Sequence, residues 1–268
     1  MTTAETWSSG DAYERFIGRW SRLVAPRFVT WLDVPAGRRW LDVGTGTGAL
    51  AAAVVATAEP AEVVGIDASA AYVAEASRRL PDPRARFQVA DASEVAAVAA
   101  VGAFDVAVSG LVLNFVPAPE RVVRALSATV VPGGTVAAYV WDYAGGMELL
   151  RRFWDVAGEL DRDAAALDEG VRFPLCRLDR LAACWEDAGT VDIETVTIDV
   201  ETAFDGFDDL WRPFLGGQGP APGYVATLSA AARDRLRDAL AARLPPDDDG
   251  RVRLVARALA VRGMPPPR

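Results

Sequence analysis

Between residues 40 and 141, short apolar runs alternate with longer segments of helical period. The runs are Trp40–Val43, Val63–Ile66, residues 85–90 (ARFQVA), Phe104–Ser109 and Thr135–Trp141. Their length and their content of Val, Ile and aromatic residues predict five strands. The stretch ALAAAVVATA after Gly48 and residues 69–80, 93–101 and 118–129 predict helices, with Ser69 and Ser93 as N-caps. Pro132-Gly133-Gly134 predicts a turn just ahead of the fifth strand. Strands alternating with helices imply a parallel sheet covered by helices on both faces.

The flanks follow a different rhythm. Residues 11–32 place Tyr13, Phe16, Ile17, Trp20 and Leu23 on one helical face, with Pro26 expected to break or restart the helix. Beyond Asp142, residues 146–163 and 177–188 predict helices, the second ended by Gly189. Residues 192–201 alternate as a half-buried strand does. An aromatic insertion, FDGFDDLWRPFLGGQGPAPGYV, leads to a helix at 229–244 and a last strand at 252–261. Its segment GGQGPAPGY predicts a lid or hinge loop. The expected organisation is a single domain: an N-terminal helical lid (1–38), a core (39–143), cap insertions (144–176 and 202–248) and a last strand (252–262).

Composition narrows the chemistry. The 268 residues are 51% hydrophobic, enough for a sizeable core, and carry a net charge of −9. No basic footprint speaks for nucleic acid. No apolar run is long enough to span a bilayer and no secretory signal is visible, so no membrane partner is expected and the expected compartment is the cytoplasm. Histidine is absent, which excludes a His-based metal site or a Ser-His-Asp triad. Cys176 and Cys184, eight apart in a segment that reads helical, would lie roughly 12 Å apart. That is too far for a disulfide, and no metal site is expected.

The centre of the chain is Trp40 to Leu50, WLDVGTGTGAL. A strand runs into a turn with Gly44, Gly46 and Gly48 at alternate positions, and the turn opens a helix. Glycine permits a positive φ and lets a ligand approach the main chain. GTGTGA also fits the dinucleotide pattern, with Asp67 about twenty residues on, so the glycines alone leave a NAD(P)-dependent oxidoreductase open. The ordered set LDVGTGTGAL, VVGIDAS, FQVADASEV, FDVAVSGLVLNFVP and VVPGGTVAAYVWDY resembles the class I S-adenosylmethionine-dependent methyltransferases of the small-molecule branch. The resemblance covers residues 40–143. It implies a Rossmann-like α/β fold with a doubly wound seven-stranded sheet, an antiparallel last strand and helical cap insertions.

That resemblance also implies roles. S-adenosyl-L-methionine would be the cofactor and S-adenosyl-L-homocysteine its product. Gly44, Thr45, Gly46 and Gly48 would hold its amino-acid half and ribose. Asp42 would attract the ammonium, or instead bond the turn's own N–H groups. Asp67 would accept both ribose hydroxyls, Ala68 and Ser69 would flank the adenine, and Asp91, Ala92 and Ser93 would bind its edge. Ser109 would lie near the methionine part. Tyr13, Arg19 and Trp20 would come across the cofactor, with Arg22 as an alternative to Arg19.

The acceptor would sit where strands four and five end. It would be a small, aromatic or amphiphilic metabolite methylated at O, N or C, under a cap carrying Phe153, Trp154, Phe173, Phe204, Phe207, Trp211, Phe214 and Tyr224, although a helical cap also needs a core of its own, the reading that fits most of these rings. Asn114 stands where related enzymes often place a histidine and could orient the acceptor. Asp142 and Tyr143 are the acid/base candidates. A monomer or homodimer is expected. The alternative within the same fold is a protein that binds S-adenosylmethionine without methylating.

Overall fold

The computed structural model describes residues 18–92, 95, 103–216 and 219–267. Its strands are β1 (Arg39–Val43), β2 (Glu62–Asp67), β3 (Ala85–Val89), β4 (Phe104–Gly110), β5 (Val130–Trp141), β6 (Val191–Phe204) and β7 (Val252–Met264). They form one seven-stranded sheet in the order β3-β2-β1-β4-β5-β7-β6. Strands β1 to β5 pair in parallel, and the last strand is antiparallel. The chain moves outward from β1 to β3 and then returns to β4 on the other side of β1. The order therefore reverses between β1 and β4, the place where open α/β sheets bind ligands beyond the strand ends. Asp42 pairs with Val108 in this register, which brings the ends of both strands together.

Two compact units divide the chain. One comprises residues 21–140, 175–198 and 258–268. Its core includes Trp40, Leu41, Ile66, Val108 and Val136, all fully buried. Helix α1 (Arg19–Leu32) contributes Phe28 to it, with its ring 4.7 Å from Tyr139. Helices α2 (Ala49–Thr57), α3 (Ala70–Arg79) and α4 (Pro119–Thr129) connect the strands. Ser69 caps α3 as its spacing predicts, accepting a bond from Tyr72 N at 3.3 Å.

The other unit comprises residues 1–20, 141–174 and 199–257. Helix α5 (Glu148–Leu160) buries Phe153, which stacks on Phe214 at 4.6 Å and 8°. Trp154 lies edge-on to Phe153 at 4.9 Å, and Trp211 is 5.6 Å from Phe214. These rings bury one another, so the aromatic density of the insertions is this unit's own core.

Several boundaries differ from the sequence reading. Pro26 sits inside α1 without interrupting it. The missing N–H costs one intrahelical bond, while Val24, Phe28 and Leu32 still present a continuous buried face at helical spacing. Pro132-Gly133-Gly134 lies within β5, because pairing jumps from Phe104↔Val130 to Val106↔Thr135 and the extra residues bulge. A Cβ on Gly134 would meet Asp105 O at 2.4 Å, so the bulged backbone presses on β4. The expected hinge loop carries a helix instead, Pro220–Thr227, with proline at its first turn. Cys176 precedes helix α6 (Leu178–Asp187), and both cysteines are free and buried. Ser93 and most of the short helix expected at 93–101 lie outside the described residues, as does Tyr13.

Candidate active site

The glycine turn begins with Asp42, a carboxylate in the middle of a buried strand, 1% exposed. Thr45 Oγ1 donates to Asp42 Oδ2 at 2.7 Å. Asp42 Oδ1 is buried and has no partner among the described residues. Burial pushes its carboxyl up to about 7 from 3.8, and the charge of Asp67 adds to the rise. The Thr45 hydroxyl and the Ala51 N–H pull the other way. A buried carboxylate with one unspent oxygen is poised for a cation, since removal from water is tolerable only when the charge is matched.

The turn itself is held by the neighbouring strand. Gly44 N and Thr45 N both donate to Ile66 O, at 2.8 and 2.9 Å. Gly44 has φ +74°, and a Cβ there would meet Val112 Cγ2 at 2.3 Å. Two independent constraints therefore demand glycine. Gly46, at φ +54°, faces open space, with nothing within 4 Å of a built Cβ. Gly48 caps α2 in the left-handed conformation, φ 86°.

Asp67 ends β2 and is bound by two backbone amides. Gly46 N donates to Oδ2 at 2.9 Å and Ser69 N to Oδ1 at 2.8 Å. Each carboxylate oxygen has a second lone pair, so the group is oriented and can still accept. This geometry fits a ribose diol. Ala68 lies between Asp67 and the Ser69 cap. Asp91 is exposed and Ala92 half-buried, just beyond the end of β3.

Ser109 is fully buried, and its hydroxyl donates to Val43 O at 2.9 Å, tying β4 to β1. The segment that follows carries Asn114, read from the sequence as an acceptor-orienting residue, but its backbone shape was not legible there. Leu111 adopts φ +63°, an outlier for a bulky residue, with its N–H bonded to Tyr139 O at 2.8 Å. The kink turns Val112 onto Gly44. The close approach behind the kink falls on Gly110, where a Cβ would strike Tyr139 Oη at 2.7 Å. Next comes a 3-10 turn, Leu113–Phe115, in which Asn114 Nδ2 is buried and has no partner among the described residues.

Arg22 lines a cavity of about 550 Å³ with Pro26, Thr47, Gly48 and Ala52. The side chain of Arg19 lies outside the described residues. Trp20 is 2% exposed and packs edge-on to Phe204, ring centres 6.1 Å apart.

Asp142 and Tyr143 follow β5 in the other unit. Asp142 Oδ1 accepts from Gly145 N at 3.0 Å, and Asp142 O accepts from Gly146 N and Met147 N at 3.0 and 2.9 Å. The carboxylate thus builds the turn after β5. Tyr143 is 5% exposed, with its ring 5.6 Å from Phe173. Tyr224 donates to Asp161 Oδ2 at 3.1 Å, and burial with that carboxylate pushes its hydroxyl up to about 12. Burial likewise pushes the Cys184 thiol up to about 12, which leaves it inert near neutral pH.

The chain matches known proteins along its length. Residues 41–138 match the methyltransferase domain family. Trans-aconitate 2-methyltransferase of Methylobacterium nodulans is 32% identical over 234 residues, 83% of this chain and 85% of that protein. The enzyme of the same name from Deinococcus radiodurans is 34% identical over 101 residues, 37% of this chain and 36% of that one. Among solved structures, phosphoethanolamine N-methyltransferase 2 of Haemonchus contortus, in complex with S-adenosyl-L-methionine, has a TM-score of 0.58 at 18% identity. That match covers 97% of this chain and 58% of that one. A Bacillus halodurans protein described as a methyltransferase has a TM-score of 0.59 at 13% identity, covering 91% and 99%. These likenesses agree with the turn between Asp42 and Gly48, the amide-bound Asp67 and the strand order, and the chain belongs to the class I S-adenosylmethionine-dependent methyltransferases.

Proposed function

We propose that the protein transfers a methyl group from S-adenosylmethionine to a carboxylate oxygen of a small polycarboxylic acid, giving a methyl ester. The observation that carries this reading is its likeness to trans-aconitate 2-methyltransferase over 83% of the chain. A carboxylate acceptor also suits a chain without histidine. Such a nucleophile is already ionised at neutral pH, so no general base is needed, and alignment supplies most of the rate.

The residues divide the work as follows. Asp67 accepts the ribose hydroxyls, and Asp42 Oδ1 takes the ammonium. The backbone from Gly44 to Gly48 lies against the donor, and Arg22, which lines the cavity beside Gly48, serves its carboxylate. Ala68, Ser69, Asp91 and Ala92 line the adenine. Bound there, S-adenosylmethionine supplies an electrophilic methyl group on a sulfonium. Asn114 spends its unpartnered Nδ2 donor on an oxygen of the acceptor. With an acceptor already ionised, Asp142 and Tyr143 have no proton to move. The aromatic insertions argue for a folded cap rather than for an aromatic acceptor, because their rings are occupied with each other.

The test is incubation with S-adenosylmethionine and a panel of di- and tricarboxylic acids, read by mass spectrometry for a gain of one methyl group and by loss of that group on alkaline hydrolysis. A methyl ester of one acid is the expected product. Cofactor binding with no ester from any acid, or a product stable to alkali, would reject the carboxylate acceptor.

A further inference from the structure

We propose that Val112 is a positioning residue that couples the two sides of the site: a donor seated on the glycine turn steadies, through Val112, the turn that carries Asn114. The coupling rests on the donor placement proposed above, and its effect on catalysis on the role given there to Asn114. All the residues involved lie in one compact unit, within residues 21–140.

Val112 meets the two turns with different atoms. Its side chain lies on Gly44: a Cβ there would meet Val112 Cγ2, Cγ1 and Cβ at 2.3, 2.9 and 3.1 Å. The three atoms nearest that position all belong to this one residue. Its carbonyl accepts from Phe115 N at 2.9 Å and closes the 3-10 turn Leu113–Phe115. Asn114 is the middle residue of that turn, with Nδ2 buried and without a hydrogen-bond partner among the described residues. Leu113, 1% exposed, roots the turn in the core.

The backbone on either side of Val112 is braced. Upstream, Leu111 N donates to Tyr139 O at 2.8 Å, and Gly110 pairs with Tyr139 in β5. A Cβ on Gly110 would meet the Tyr139 ring atoms Cζ and Cε1 at 2.8 and 2.9 Å, so the end of β4 presses on its neighbour. Facing the valine, Gly44 N is held by Ile66 O at 2.8 Å. Close-packed groups pass on a displacement because no void absorbs it. A donor against Gly44–Gly48 removes the turn's freedom to shift, and Val112 transfers that loss of freedom to the turn of Asn114. A region already ordered by a first ligand costs a second ligand less to bind. Val112 itself is only half-buried, so its side chain can be shortened without opening the core.

The experiment uses the whole chain with S-adenosylhomocysteine as the probe and follows hydrogen–deuterium exchange in wild type, Val112→Ala and Val112→Ile, with a thermal melt of each. In wild type the probe should slow exchange at residues 113–116 about fivefold or more, the lower end of usual coupling between sites. It should protect residues 44–49 in all three proteins. Val112→Ala should lose the protection at 113–116 and keep it at 44–49, while Val112→Ile, which retains the branched bulk, should keep both. Calorimetry adds the acceptor side: trans-aconitate should bind wild type about fivefold or more tighter with the probe present than without it, and Val112→Ala equally in both cases. Protection at 44–49 without protection at 113–116 in wild type would overturn the proposal, whether or not Val112→Ala folds. Full protection of both segments in Val112→Ala would also overturn it, since the probe would then reach the second turn without the valine. No binding of trans-aconitate and no ester from any polycarboxylic acid would reject the acceptor reading instead, and the exchange at 113–116 would still decide the coupling.

Discussion

Thr45 Oγ1 donates to one oxygen of Asp42 at 2.7 Å and leaves the other buried without a hydrogen-bond partner among the described residues. The hydroxyl steadies the carboxylate without neutralising it. With its carboxyl pushed up to about 7, Asp42 carries a proton through much of the mildly acidic range. A cation binds the ionised form, so donor binding must release that proton. Affinity for S-adenosylhomocysteine should fall as pH drops below about 7, approaching tenfold per pH unit. Calorimetry from pH 5.5 to 7.5 in buffers of different ionisation heat measures the proton released. Asp42→Asn should bind weakly and with a flat pH profile; a steep profile in that variant would assign the proton elsewhere.

The same group acts on stability with a definite sign. Its folded value of about 7 lies above the unfolded 3.8, so its stabilising contribution is fully present below pH 3.8 and is lost as pH rises through 7. Without ligand, wild type should therefore lose stability relative to Asp42→Asn between about pH 4 and 7 and run parallel to it above, as urea titrations can show. Parallel curves would mean that the carboxyl is ordinary.

Asp67 is oriented by two amides, Gly46 N and Ser69 N. Asp67→Ala should weaken donor binding by about a hundredfold, from the loss of charge-assisted bonds to two hydroxyls. Those freed amides border solvent, so the melting temperature should change far less than the affinity. Unchanged donor affinity would undo the ribose assignment.

Gly44 and Gly46 make a contrasting pair. Gly44→Ala would force a Cβ to 2.3 Å from Val112 Cγ2 at a left-handed φ, and should lose both binding and stability. Gly46→Ala meets no atom within 4 Å and should cost only about 1 kcal/mol of backbone strain. Donor affinity separates the two variants; equal losses of stability would show that sterics at Val112 do not matter.

Asp142→Asn keeps an oxygen that can accept the Gly145 N–H, so the turn after β5 should survive. With an acceptor that is already ionised, kcat should also survive in this variant and in Tyr143→Phe. A general base contributes roughly 10²–10⁴, and a drop of that size in either variant would mean that the acceptor has to be deprotonated.

The strands, most of the helices and the cofactor turn were legible because each rests on local pattern. Trp40–Val43 is a short apolar run, Ser69 is a cap at the right offset, and Gly44 stands where a turn demands it. What was not legible depends on contacts far apart in sequence. Pro26 looks like a break until the buried face of α1 is seen to continue past it. The bulge at Pro132–Gly134 exists only in the pairing with β4. The aromatic residues of the insertions fit either a cap lining or the cap's own core, and which rings pair is seen only in the contacts of Phe153 and Trp211 with Phe214.

Leu111 joins two tasks in one dihedral. Its left-handed backbone, with φ +63°, is what carries the chain from β4 onto the glycine turn. A glycine there would relieve strain of roughly 1–3 kcal/mol, but it would also free the peptide that aims Val112 at Gly44 and leads into Asn114. The leucine thus holds the glycine turn and the 3-10 turn at Leu113–Phe115 in a fixed relation, much as a set screw holds two shafts, and the fold keeps a small instability at this point as the means of doing so.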